Sequence, residues 1–353
     1  IDATQVTTLT GTIAAVNTTY AASASTGDGI SNLGDEAVTL TDTDGVTVAT
    51  LNTLNGNTAG TINAGTITAM SGAITALNTV YASDEISGLG DQAVTLTDTT
   101  VAATDLTTLA TANSDGTLAA ASVTTITGTA TEVEAAYASG VVESGLGDET
   151  ITINSGTVSV EQANTLNGLT TGTVTATVTS TTTIAAILDS STGISESGHS
   201  TTITIHSADA SATAANLNSI DDLTTVAVDV GEVTAISGAL SDLVTLYESS
   251  GVSGLGDETV TISDSESVAA ADLTTVGDAT SATVKASSAA TVTGTAEEII
   301  AAYADIEEGL GNEAITVTGT ATVAQANAID LLTSGTITAT ISEGDIDTLK
   351  TLT

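Results

Sequence analysis

The sequence predicts an α/β fold: a right-handed α/β solenoid of six strand–helix–strand–helix repeats of ~55 residues each, a period typical of stacked repeat architectures. Three observations predict it. A loop of the form SGLGDE recurs as SNLGDE at 31–36, SGLGDQ at 87–92, SGLGDE at 144–149 and 253–258, and EGLGNE at 308–313, with a degenerate ESGHST at 196–201. All five tyrosines (Tyr20, Tyr81, Tyr137, Tyr247 and Tyr303) fall at one repeat position, and Leu188 is their equivalent in the degenerate copy. Each loop precedes a run in which apolar residues alternate with threonine, as in Val38-Thr39-Leu40, Val94-Thr95-Leu96, Ile151-Thr152-Ile153, Ile203-Thr204-Ile205, Val260-Thr261-Ile262 and Ile315-Thr316-Val317. Parallel strands joined by helices cross over right-handed in about 98% of cases, which sets the hand.

Within one repeat, the elements follow from local signals. The alternating, β-branched run is a strand with one buried face; Val94, Ile151, Ile203, Val260 and Ile315 are expected to stack there. A helix comes next, opened by Ser159-x-x-Gln162 or Thr322-x-x-Gln325. In such capping boxes the hydroxyl accepts from the third backbone N–H and the long side chain reaches back. Leu166 and Leu169, or Ile329 and Leu332, mark its apolar face. A second extended segment such as 173–178 follows, then a second helix opened by Thr129-x-x-Glu132 or Thr295-x-x-Glu298. Val133 and Tyr137, or Ile299 and Tyr303, share that helix's inner side four residues apart. Each half is ~28 residues, and helices this short need the stack, because helix nucleation is costly. The expected organisation is one array over 1–353, with repeats near 6–67, 68–123, 124–178, 179–233, 234–290 and 291–353. The fourth repeat, 179–233, is the least regular and is expected to open most easily.

Composition narrows the function. Asp and Glu number 43 against 2 Lys plus Arg, for a formal charge of −41, yet 41% of residues are hydrophobic and the mean hydropathy is +0.32. Disorder requires high charge with low hydropathy, so an ordered chain is expected. Such a surface suits a salty or divalent-rich medium. It is unsuited to nucleic acid, which demands basic contacts, and to an anionic membrane surface. No cysteine is present, which removes thiol chemistry and is compatible with secretion. No apolar run approaches the ~20 residues that span a bilayer. The chain begins at Ile1 without a signal peptide, in mid-repeat, and is expected to be a processed product or the ordered part of something longer.

On the GLGDE loops, the ITGTA-x-x-V-x-x-x-Y helix and the V-x-x-A-x-x-L helix, the chain resembles the giant Thr/Ala-rich repetitive cell-surface proteins of marine unicellular cyanobacteria, including the type implicated in swimming. The segment around Thr182–Leu188 is also similar to helix–strand repeats of large secreted proteins that accompany calcium-binding nonapeptide arrays. The resemblance implies an extracellular or surface-anchored structural protein. The nonapeptide G-G-x-G-x-D is missing, so a calcium β-roll does not carry over to these residues.

Chemistry-bearing residues are few. His199 and His206 both sit in the degenerate copy, without cysteine partners or repeated counterparts, and read as drifted surface positions. The GLGDE glycines lack the lysine of a phosphate loop and read as a tight turn with the leucine tucked inward. The tyrosines read as a core-edge ladder with the hydroxyl at the rim, rather than as a carbohydrate stripe. O-linked glycan on the many Ser and Thr is open, although no proline accompanies them. Repeated carboxylates are the candidate divalent-cation ligands: Asp35, Glu36, Asp91, Asp148, Glu149, Asp257, Glu258 and Glu313 at one edge, and Asp42, Asp44, Asp98 and Asp264 just after the following strand. Calcium takes several such oxygens; the competing reading is a solvated acidic edge.

These features point to an extracellular structural protein, the repeating subunit of a self-assembling filament or surface layer, with divalent cations, calcium first, aiding assembly. The expected partner is a second copy joined head to tail, through Val6, Leu9, Ile13 and Val16 on one side and Ile341, Ile346, Leu349 and Leu352 on the other. No nucleic-acid partner and no membrane insertion are expected. The alternative is an adhesin-type stalk or binding module. An enzyme such as a solenoid polysaccharide lyase needs a basic residue beside clustered carboxylates, and neither Lys285 nor Lys350 lies in such a cluster.

Overall fold

The computed structural model describes residues 1–23, 29–138, 142–195 and 197–353. Glu196, which opens the degenerate loop, lies outside the described residues. The fold is mixed α/β: among the described residues the paired strands all run parallel, and there are thirteen α-helices. Backbone contacts divide the chain into two compact units, Ile1–Thr157 with Asn164–Ala176, and Val158–Ala163 with Thr177–Thr353.

The first unit contains α1 (Ile13–Ser23), α2 (Val48–Asn57), α3 (Ile74–Tyr81), α4 (Ala103–Ala112) and α5 (Ala130–Ala136). Its strands form short ladders, in which Val46, Met70, Val94 and Leu118 are register partners in one, and Val101, Ile126, Ile151 and Val174 in another. All eight are buried. Each of α2 to α5 turns an i, i+3 pair onto this core: Leu51 and Leu54, Leu77 and Val80, Leu106 and Leu109, Val133 and Ala136. Burying one such leucine contributes about 1.5–3 kcal/mol. Helix is tied to helix by asparagine: Asn52 Nδ2 donates to the Ala76 carbonyl (3.0 Å) and Asn78 Nδ2 to that of Asp105 (3.2 Å).

After α6 (Val160–Asn167), the second unit contains α7 (Ile184–Ile187), α8 (Ala214–Asp221), α9 (Leu240–Glu248), α10 (Ala270–Ala279), α11 (Ala296–Asp305), α12 (Val323–Asp330) and α13 (Ile346–Leu349). The same construction holds, with Ala212, Ile236, Val260 and Val284 as partners in one ladder and Val268, Val292, Ile315 and Ile337 in another. All four expected capping boxes are present, at Ser159/Gln162, Thr322/Gln325, Thr129/Glu132 and Thr295/Glu298.

Three expectations need correction. The expected half-repeat of ~28 residues is not the spacing of most paired strands. Val46 lies eight positions after Val38; its partner Met70 is 24 further on, and Val94 another 24, which brings the chain to the equivalent of Val38. The extra residues hand the chain from one short sheet to the next, across 41–45, 97–99 and 263–266. In consequence Val94, Ile151, Val260 and Ile315 are buried as expected, but their register partners are half-repeat residues such as Met70 and Leu118 rather than one another. In the fourth copy the paired strand covers Ser200–Thr202 and stops before Ile203; beyond it Thr204 and Asp229 form an isolated bridge. Finally, Ile13 and Val16 lie on the buried face of α1 rather than presented to another molecule, whereas Val6, Ile346, Leu349 and Leu352 are exposed.

Candidate functional site

The repeated acidic loop is built around its final glutamate. Glu36, Glu149, Glu258 and Glu313 are buried, and the preceding aspartates Asp35, Asp91, Asp148 and Asp257 are not. A glycine four residues before the glutamate turns the chain in the left-handed region (Gly145, φ 90°; Gly254, φ 87°), and Asn32 does so in the first copy at φ 66°. The side chain then folds back on its own loop. Backbone N–H groups two residues upstream donate to it: Gly34 to Glu36 (2.8 Å), Gly147 to Glu149 (2.8 Å), Gly256 to Glu258 (2.9 Å) and Gly311 to Glu313 (2.8 Å). The leucines Leu33, Leu89, Leu146, Leu255 and Leu310 are half-buried, not fully tucked in.

The tyrosine of the preceding helix reaches the same carboxylate. Tyr20 donates to Glu36 (3.0 Å), Tyr137 to Glu149 (2.6 Å) and Tyr247 to Glu258. The hydroxyl therefore points inward, which corrects the expected rim position: a buried acceptor is available, and a buried carboxylate needs donors. Burial pushes the hydroxyls of Tyr20, Tyr81, Tyr137 and Tyr247 above the ordinary tyrosine value, and at Tyr137 and Tyr247 the glutamate bond raises them further. On the other side, a hydroxyl about one turn of the chain later donates to the glutamate's main-chain carbonyl: Thr58 (3.0 Å), Thr170 (2.6 Å), Thr280 (2.8 Å) and Thr333 (2.7 Å). These threonines escaped the sequence reading, although a T-x-G pattern (Thr58/Gly60, Thr170/Gly172, Thr333/Gly335) marks three of them.

Two copies each replace two of the three residues of the junction. In the second, Gln92 stands for the glutamate and Asn113 for the threonine; Asn113 Oδ1 accepts from Gln92 N (3.1 Å) and Tyr81 (3.0 Å), and its Nδ2 donates to Gln92 O (2.8 Å). In the fourth, Thr201 stands for the glutamate and Leu188 for the tyrosine, while Thr224 still donates to the Thr201 carbonyl (2.7 Å). Tyrosine and glutamate are thus lost together in that copy.

The second carboxylate series serves another purpose. Asp42, Asp98 and Asp264 each accept the first N–H of a helix preceding them in the chain: Ile13 of α1 (2.8 Å), Ile74 of α3 (2.7 Å) and Leu240 of α9 (2.6 Å). Asp209 does the same for Ile184 of α7 (2.8 Å) and Glu343 for Val323 of α12 (3.2 Å). A helix start leaves N–H groups unpaired and favours negative charge. The residues before α3 and α9 are Ala73 and Ala239, which have no side-chain cap to offer; α5 and α11 carry their own capping boxes, and Ser155 and Gly319 then stand where the aspartate would be. We expect Asp98→Ala and Asp264→Ala each to cost about 1 kcal/mol in denaturant unfolding, whereas Asp44→Ala, at an exposed position, stays within about 0.5 kcal/mol of the parent.

The two carboxylate series therefore do not gather into one cluster, and no group of three or more His, Cys, Asp or Glu side chains with metal-holding geometry occurs among the described residues. Both histidines are half-buried; His206 Nδ1 accepts from Ala208 N (3.1 Å), and the His199 main chain pairs with Thr224. Lys285 pairs with Glu308 (2.8 Å) and Lys350 with Asp347 (2.6 Å). A cleft of about 410 Å³ opens beside α7, lined by Ile184, Leu188, Asp209, Ala212 and Asn216 among others; its one carboxylate is already the cap of α7. No helix is long and apolar enough to cross a membrane among the described residues. Comparison with protein-family models, with curated proteins and with solved structures gives no match for this chain.

Proposed function

We propose that this chain is an extracellular structural protein, the repeating subunit of a filament or surface layer, wound as a right-handed α/β solenoid of six ~55-residue repeats. The observation that carries the reading is the use made of the repeated polar residues. The repeated glutamates, tyrosines, threonines and aspartates, wherever a copy carries them with a partner, bind one segment of the chain to another, so that what recurs is a framework, as a structural role requires. The hand rests on the parallel strands and the helices that join them. The exposed apolar side chains Val6, Ile346, Leu349 and Leu352 supply surface for contact with another copy, and a contact between unlike surfaces propagates instead of closing. Chains at −41 repel one another, so assembly depends on salt or divalent cations, in keeping with a saline, extracellular setting and with the cell-surface proteins the sequence resembles.

Light scattering and electron microscopy at fixed protein concentration test this, with calcium titrated in and then chelated. Elongated or sheet-like assemblies that appear with calcium and dissolve with chelator are the expected result. A chain that stays monomeric at every calcium and salt level would overturn the assembly reading.

A further inference from the structure

We propose that Glu36 and Asp35 hold one calcium ion, beside the position that the side-chain amide nitrogen of Gln92 takes in the second copy. The amide identifies the position. Gln92 Nε2 lies within hydrogen-bond distance of three oxygens: the carbonyls of Ile67 and Gly88, each at 3.2 Å, and Asp91 Oδ1 at 2.6 Å. Its other atom, Oε1, takes the bonds that a glutamate takes elsewhere, from Gly90 N and Tyr81. A cationic or N–H-bearing group is therefore what this position accommodates: its walls are oxygens.

In the first copy the same position receives a carboxylate oxygen. Glu36 Oε2 accepts from both Gly34 N and Tyr20, which leaves Oε1 buried with no hydrogen bond from the protein. The surrounding walls are the same by register. Ala37 N donates to the Thr7 carbonyl as Ala93 N does to that of Thr68, so Val6 stands where Ile67 does; Asn32, left-handed like Gly88, stands in the latter's place. Asp35 corresponds to Asp91. Carried over by this register, the neighbours of Glu36 Oε1 are carbonyl and carboxylate oxygens, none of which can donate to it.

A cation resolves that arrangement, and the chemistry selects calcium. Hard carboxylate and carbonyl oxygens suit it, and ligand distances of about 2.3–2.6 Å place the ion between Glu36 Oε1 and those oxygens. Glu36 and Asp35 together carry two negative charges, matching a divalent ion, and Asp35 is not buried, leaving a solvent side for water ligands. Magnesium demands stricter octahedral geometry and gives up its water reluctantly. The other copies differ. Glu149 and Glu258 use both oxygens for N–H and O–H donors. At Glu313 Oε1 is unpaired too, beside an unpaired Tyr303 hydroxyl in the same copy, but Asn312 replaces the aspartate and brings no second charge.

The experiment is calcium titration calorimetry on the full chain, in potassium chloride with magnesium in excess to occupy diffuse sites. Glu36→Gln is expected to remain folded, since Gln92 shows that an amide fits, and to bind one calcium fewer than the parent. Gln92→Glu, which recreates the Glu36 arrangement, is expected to bind one more. An unchanged stoichiometry in either folded variant, or no calcium-specific heat above the magnesium background, overturns the proposal. Should Glu36→Gln fail to fold, Gln92→Glu decides alone. Binding heat on the monomer is read separately from light scattering, so this site and the assembly reading stand or fall independently.

Discussion

Gly145→Ala is expected to destabilise the first unit by about 3 kcal/mol or more, while Gly156→Ala costs about 1–2 kcal/mol, as measured by urea unfolding followed by circular dichroism. The two glycines share nearly the same backbone, φ 90° at Gly145 and φ 82° at Gly156, so the left-handed strain of an added Cβ is common to both. Their surroundings differ. A Cβ at Gly156 meets nothing within 4 Å, whereas one at Gly145 would stand 2.7 Å from Ala121 Cα and 2.8 Å from Ala120 C, against the main chain of the preceding segment. Main chain cannot rotate away as a side chain can, so the acidic loop would have to lift. Lifting it separates Ala120 N from the Ser144 carbonyl (2.9 Å) and loosens the seat of Glu149. Equal losses in the two variants would show that the close approach of the loop to its neighbour does not matter.

Glu149→Leu is expected to cost about 3–5 kcal/mol and Glu149→Gln no more than about 1 kcal/mol. Leucine has similar bulk, so the loss is not one of packing. It leaves the Gly147 N–H and the Tyr137 hydroxyl buried without an acceptor, and each such group costs about 1–3 kcal/mol. Glutamine keeps an acceptor oxygen, and Gln92 demonstrates the arrangement with bonds of 2.7 Å from Gly90 N and 3.1 Å from Tyr81. The two residues should also be coupled. Tyr137→Phe is expected to cost less in the Glu149→Leu background than in the parent, because the hydroxyl it removes no longer has a partner there. The fourth copy has replaced both residues, with Leu188 and Thr201 in the two positions. Additive losses in the double variant would mean that the tyrosine and the glutamate act separately.

The network also explains why a chain of −41 holds buried carboxylates. Cations could not neutralise them from within, since Lys285 and Lys350 are engaged with Glu308 and Asp347. Backbone N–H groups and tyrosine hydroxyls do it instead, as dipoles fixed by the turn. Hydrogen bonds to an ionised acceptor are about twice as strong as neutral ones, which suits a thin core without phenylalanine or tryptophan.

The sequence by itself determined the elements and their order. Alternating Val-Thr-Leu runs, Thr-x-x-Glu boxes and left-handed glycines are local signals, since each depends on residues within about one helical turn, and such signals survive without knowledge of the neighbours. The recurring tyrosine and acidic loop were legible for the same reason: their spacing lies in the chain. What the tertiary structure decided is whom each polar side chain meets. Asp98 reads as one more solvated aspartate until the start of α3, 24 residues earlier, is placed above it. Glu149 reads as a surface acid until Gly147 and Tyr137 close over it. Thr170 carries no signal stronger than that of the many threonines around it, yet its hydroxyl reaches the Glu149 carbonyl. The Asp98 and Thr170 contacts join residues that the parallel ladder brings side by side, and the offset between partners depends on where the chain passes from one sheet to the next. A repeat length of ~55 residues does not reveal that offset, because it counts both the 24-residue steps and the handover between them, and only the register separates the two.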